Sequence, residues 1–190
     1  ESVAVAIETM VVRGAGAIGA TGAFGLAQAA KLASEDDFWT DVDAAKHRLA
    51  HTRPTAQNLF YGLTKVYEAM KATSTIADAR LAALIAAQGV ADEDAEACKQ
   101  IGIHGAEKIT EGKKAYDEGE VELAESLYRE ALDMRPDDPI ASYHLGVLLR
   151  VTGRRDEAIR CFEITASYDC EFKDKAQLAL EKMKRGNRSL

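Results

Sequence analysis

The 190-residue chain contains no apolar run long enough, and free enough of charge, to cross a membrane as a helix. Aromatic residues supply only 6% of it, against 47% hydrophobic residues in all, and alanine is abundant. A sandwich or barrel would draw on Val, Ile, Thr and aromatic side chains, so this balance points to close-packed helices. Positive charge is scarce too. The 24 Lys and Arg are outnumbered by 31 Asp and Glu, for a net charge of −7. Neither nucleic acid nor an acidic membrane surface is expected as a partner of such a chain. Cysteine is limited to Cys98, Cys161 and Cys170, an odd number with no metal-ligand spacing. They read as reduced thiols, packed as small hydrophobes in a cytoplasmic protein, and no metal site is expected. The chain opens on Glu1 without a basic-then-apolar leader, so it does not read as a secretory precursor.

What the second half has is a repeat. An offset of 34 residues pairs Gly112 with Gly146, Ala115 with Leu149, Gly119 with Gly153, Ala124 with Ala158 and Tyr128 with Phe162. Each residue type suits a helix-turn-helix unit. Gly112 and Gly146 let a second helix pack close to the first. Gly119 and Gly153 fall at the turn, where a positive φ is cheap only for glycine. Ala124 and Ala158 fall where two helices cross, and Tyr128 and Phe162 fill the groove behind them. The run Met134-Arg135-Pro136-Asp137-Asp138-Pro139 stops one helix and starts the next. The stretches AESLYREALDMRPDDP from Ala124 and YHLGVLL from Tyr143 resemble the tetratricopeptide signature. Glu111, Thr165 and Cys170 depart from it, standing where Leu, Ala and Pro are usual. The resemblance implies a first helix at about 105–117 and an array ending near 170. KDKAQLALEKMKR, with apolar Ala176, Leu178, Leu180 and Met183, then forms a polar-faced capping helix. The module implies a protein or peptide partner. Ile109, Lys113 and His144 occupy the positions where such repeats can clamp a terminal carboxylate, and they do not support that clamp.

The first half carries glycines at 14, 16, 19, 22 and 25. Gly14, Gly16 and Gly19 spell G-x-G-x-x-G, and the acids Glu35 to Asp37 follow at a distance that invites a dinucleotide reading. That reading needs a strand before and a strand after. FGLAQAAKLASEDDFW offers no β-branched run, so nucleotide binding stays a minor alternative. A helix over 17–33 makes fewer demands. It would be apolar nearly all round and centrally buried, with Gly19, Gly22 and Gly25 on one face against another backbone. Its start, Arg13-Gly14-Ala15, offers free N–H groups beside a guanidinium. A second helix follows Arg53-Pro54-Thr55. Thr55 is expected as its cap and Leu59, Leu63, Val66, Tyr67 and Met70 as its apolar stripe. Arg53 would then sit at its start. Two arginines at two helix starts suit one phosphate, though solvated or ion-paired arginines would give the same sequence.

VRGAGAIGATGAFG, RPTAQNLFYGL and IGIHGAEKI resemble, in order, three N-terminal motifs of methylthioribose-1-phosphate isomerases. The regulatory subunits of translation initiation factor two-B and the ribose-1,5-bisphosphate isomerases are relatives of these enzymes. The resemblance covers about residues 3–110, and Gly16 replaces the usual proline. It implies that Arg13, Gly14, Ala15 and Arg53 contact a sugar phosphate, with no cofactor. It also implies a catalytic cysteine in a Thr-x-Cys-Asn motif soon after His104-Gly105-Ala106. Here no cysteine lies between Cys98 and Cys161. The aspartate segment and the Asn-Lys pair of the family are missing too, so no residue is assigned a catalytic role. His104, next to Gly105 at an expected helix start, reads as structural.

The fold expected is all-α. A helical bundle over 1–104 is joined to a tetratricopeptide pair and capping helix over 105–190, with one helix serving both around His104 to Ile109. The function expected is non-catalytic binding or scaffolding, with a partial sugar-phosphate cradle. The rival is a fragment of an aldose-ketose isomerase.

Overall fold

The computed structural model describes residues 1–185, and every regular element among them is an α-helix. In chain order these are α1 (Ser2–Glu8), α2 (Ala15–Leu32), α3 (Phe38–Ala50), α4 (Gln57–Lys71), α5 (Ile76–Asp117), α6 (Val121–Met134), α7 (Pro139–Val151), α8 (Arg155–Ser167) and α9 (Lys173–Arg185). They fall into two units, Glu1–Ala97 and Cys98–Leu190. The division lies within α5, which contributes helix to each unit. Among the described residues, no helix is long and apolar enough to cross a membrane.

In the first unit α2 is the central helix because its glycines let α4 approach its backbone. A β-carbon at Gly19 would stand 2.7 Å from the Asn58 carbonyl oxygen, whereas Gly25 lies against α1, where an added β-carbon would stand 2.8 Å from the Val3 side chain. Gly22 faces the Leu59 side chain in the same way. The expected stripe on α4 is formed: Leu59, Leu63, Val66 and Met70 are buried with Leu26, Phe38 and Val42, and Tyr67 is half-buried against them. Ala79, Ala83 and Ala87 recur every fourth residue, so α5 lays one narrow face on this core. Thr75 begins that helix, its hydroxyl accepting from the Asp78 N–H at 3.1 Å. Arg48 ties α1 to α3 through Glu1 at 2.8 Å and Glu8 at 2.6 Å.

Three expectations need correction here. First, α2 is not buried all round, since Leu32 is 75% exposed and Phe24 36%. Its apolar residues exceed what its neighbours in this unit cover. Second, Thr55 does not cap α4. A turn closes first, with the Ala56 N–H donating to the Arg53 carbonyl at 3.0 Å, and the N-cap is Ala56. Third, Cys98 is exposed rather than buried, while Cys161 and Cys170 are half-buried.

The second unit has the repeat's geometry. Gly119 and Gly153 take φ of +84° and +82° at the turns after α5 and α7. Ala124, Ala158, Tyr128 and Phe162 are buried at the expected positions. A β-carbon at Gly112 would stand 2.7 Å from the Tyr128 ring, and one at Gly146 would stand 3.0 Å from Phe162. Asp138 caps α7, its Oδ1 accepting from Ile140 and Ala141 N–H at 2.9 Å, with Pro139 in the first helical position. The departure at Thr165 has a cause: its buried hydroxyl donates to the Pro139 carbonyl at 3.0 Å, joining α8 to the start of α7. Of the four apolar positions read on α9, Ala176 and Met183 are buried, Leu180 is half-buried and Leu178 is 52% exposed, while Ala179 joins the core.

Candidate functional site

Arg13 and Gly14 form the approach to α2. Gly14 has φ +93°, a left-handed turn that glycine adopts readily, and its carbonyl accepts from the Ile18 N–H at 3.0 Å. Ala15 is the first helical residue, so the N–H groups of the first turn point out of the helix end without helical partners. Arg13 is exposed and makes no ion pair among the described residues. Arg53 lies in the turn before α4. Its Nη1 is buried and has no hydrogen-bond partner among the described residues. A guanidinium nitrogen removed from water without an acceptor is unfavourable. Because Asn58, at the start of α4, touches Gly19, the starts of α2 and α4 lie at the same end of their crossing.

The same helix start also meets negative charge that the sequence did not announce. A cleft beside it, about 230 Å³, is lined by Gly16, Gly19, Asn58, Tyr61, Glu93 and Asp94. The Asp94 carboxylate, from α5, lies where a β-carbon of Gly16 would stand. A larger residue at position 16 would require the Asp94 side chain to swing aside. Glu93 pairs with Lys65 and accepts from the Tyr61 hydroxyl at 2.8 Å. The Lys65 ammonium, and then Tyr61, hold the Glu93 carboxyl below its ordinary pKa, and Glu93 raises Lys65 in turn. Neither Arg13 nor Arg53 lines this cleft. No local pattern pointed to Glu93 or Asp94, because only the packing of α5 brings them here.

The G-x-G-x-x-G motif leads from the turn after α1 into α2, and no strand occurs among the described residues. The acids Glu35 to Asp37 lie in the bend between α2 and α3. The β-α-β context a dinucleotide needs is therefore not present there. His104 is not at a helix start. It is exposed in the interior of α5, with Nδ1 3.2 Å from Glu107. No group of three or more His, Cys, Asp or Glu residues suited to a metal ion occurs among the described residues.

The helices carrying the three sequence motifs, α2, α4 and α5, correspond to one family profile: the initiation factor 2 subunit family matches residues 11–134. This chain is a member of that family. A tetratricopeptide repeat matches residues 115–168. The two matches share 115–134, the end of α5 and all of α6, so this member's family region runs directly into its repeats. The putative methylthioribose-1-phosphate isomerase of Pyrococcus abyssi is 44% identical over 117 residues, covering 59% of this chain and 33% of the relative. The methylthioribose-1-phosphate isomerase of Rhodospirillum centenum is 45% identical over 109 residues, covering 57% and 28%. That of Thermosipho africanus is 42% identical over 115 residues, covering 59% and 33%. The match thus spans a third or less of these relatives' own length. No solved structure matches the chain significantly.

Proposed function

We propose that this family member is a non-catalytic binding protein of the cytoplasm, pairing an isomerase-like helical unit with a protein-interaction module. The observation that carries the reading is α5, which runs unbroken from Ile76 to Asp117. It continues past His104-Gly105-Ala106, where the resemblance leads one to expect a Thr-x-Cys-Asn segment, and becomes the first helix of the repeats. Isomerising a sugar phosphate requires a proton relay beside the bound substrate. Arg13, Gly14, Ala15 and Arg53 offer donors for a phosphate but no group placed to move a proton. Binding of a sugar phosphate or inorganic phosphate, without turnover, is the role proposed for them.

The relatives' names favour a second reading, in which the unit contributes to methylthioribose-1-phosphate isomerisation. The two separate cleanly in one assay. Incubated with methylthioribose-1-phosphate, the purified chain should form no ketose phosphate above background. Turnover that disappears in Arg53→Ala would establish the isomerase reading instead.

A further inference from the structure

The second unit carries exposed ion pairs that engage many of its cations. Arg129 meets Glu125 at 2.8 Å, Arg154 meets Glu157 at 2.8 Å, Lys108 meets Glu130 at 3.1 Å, and Arg135 meets Asp138 at 3.4 Å. A different group of cations has been left out of this pairing. Arg150 near the end of α7, Arg155 at the start of α8, and Lys175 and Lys182 on α9 make no ion pair among the described residues. They are not scattered. All four line two adjoining clefts, about 200 and 390 Å³, which share Arg150, Ala179 and Lys182.

The clefts also have an apolar part. Val147 of α7 and Leu178 of α9 line the smaller one, and Leu178 is 52% exposed although its helix is otherwise packed by Ala176, Ala179 and Met183. Tyr143 lines the smaller cleft too, stacked on Phe172 with ring centroids 4.4 Å apart. Carboxylates on and before α9, namely Glu171, Asp174 and Glu181, line neither cleft. In a chain of net charge −7, these four cations without carboxylate partners, three of them lining the same cleft as the exposed leucine and one of those three, Lys175, also lying over the Phe172 ring, make a local reversal of the surface potential. Such a surface attracts acidic segments and discriminates against basic ones, while the apolar strip supplies contact area that charge alone does not.

We propose that the α7–α9 clefts bind an acidic peptide segment of a partner protein, its carboxylates meeting Arg150 and Lys182 and an apolar side chain lying on Val147 and Leu178. This site is separate from the terminal-carboxylate clamp, whose positions hold Ile109, Lys113 and His144. The proposal rests on the reading of the repeats as an interaction module and gives that module a charge preference.

The test uses the full chain and a short fluorescein-labelled peptide that alternates Asp-Glu pairs with leucine, followed by fluorescence anisotropy. Three probes run beside it: the same peptide with Lys for each acid, the same with Asn and Gln, and a single-stranded oligonucleotide. The acidic peptide should bind, should weaken as salt rises, and should lose about tenfold in affinity to the Arg150→Glu, Lys182→Glu double variant. Leu178→Asp should weaken it as well. All three positions are exposed, so circular dichroism melts should match the parent. Unchanged affinity in the double variant would overturn the proposal, as would an oligonucleotide bound as tightly as the acidic peptide. So would self-association that the double variant abolishes, which would give the clefts to a second copy. If the neutral or basic peptide binds and the double variant leaves that binding intact, the charge preference fails while the interaction module stands. If no peptide of any charge binds, both fail.

Discussion

Gly19 and Gly62 meet at the crossing of α2 and α4. A β-carbon at Gly62 would fall on the Gly19 carbonyl oxygen, and one at Gly19 would stand 2.7 Å from the Asn58 carbonyl oxygen. Backbone lies against backbone here, with no flexible side chain able to yield. Two consequences can be measured against each other. Gly62→Ala should destabilise the first unit by about 1–3 kcal/mol, the usual size of overpacking, despite alanine's better helix propensity. Gly89→Ala, in α5 with nothing within 4 Å of the added carbon, should stabilise by up to about 1 kcal/mol. Urea denaturation of both variants checks the pair, and the same sign for both would refute the crossing.

The repeat makes a parallel prediction in the second unit. Gly146→Leu must displace the Phe162 ring at 3.0 Å and the Cys161 β-carbon at 3.2 Å, and Gly112→Leu must displace Tyr128. Each should lower the thermal midpoint through a loss of about 1–3 kcal/mol. Gly153→Ala tests the turn rather than the packing. The added carbon meets nothing, but φ is +82°, so a loss of about 1 kcal/mol is expected from conformation alone.

Phosphate should dock at the start of α2 with millimolar affinity, roughly −4 kcal/mol, and weaken as ionic strength rises. Amide shifts at Gly14 and Ala15 follow the titration. Asp94 is the opposing charge beside this helix start, so Asp94→Asn should tighten binding by about 0.5–1 kcal/mol. Arg13→Ala with Arg53→Ala should abolish the shifts. If Asp94→Asn changes nothing, the carboxylate and the phosphate do not share a site.

Acid should loosen the second unit through His144. Burial, and then the charge of Lys113, hold its pKa below the ordinary 6.5, and its Nε2 is buried with no hydrogen-bond partner. The ring stacks on Tyr128 with centroids 5.7 Å apart and meets Phe172 edge-on at 5.3 Å. A histidine whose folded pKa is lowered stabilises the fold above its unfolded pKa. The unfolded chain takes up the proton first, so that stability is lost as pH falls from about 6.5 toward the folded value. Melting temperatures should decline across this window, and His144→Phe should flatten the decline. The carboxylates Glu125 and Glu157, whose pKa values are lowered, act below their ordinary 4.5 and leave the window clear.

Much of this protein was legible in one dimension because its signals are local. Gly119 and Gly153 announce turns through a conformation that other residues resist, and Ala124, Ala158, Tyr128 and Phe162 hold their places in a period of 34 residues. The α2 glycines every third residue implied a close helix neighbour without naming it. Helix boundaries were less secure. Thr55 had the chemistry of a cap, yet the turn closed by Arg53 and Ala56 came first. Leu178 is apolar by type yet stands exposed, while Ala179 of the same helix lies in the core. What only the tertiary structure decided is where distant charges meet. Asp94 stands 78 residues from Gly16, and Arg150 lies in a different helix from Lys182. Periodicity fixes which face of a helix is apolar, whereas the packing of one helix on another chooses which polar residues become neighbours. That is why the family and the repeat could be read directly from the sequence. The acid beside the first helix start and the unpaired cations of the α7–α9 clefts required the fold.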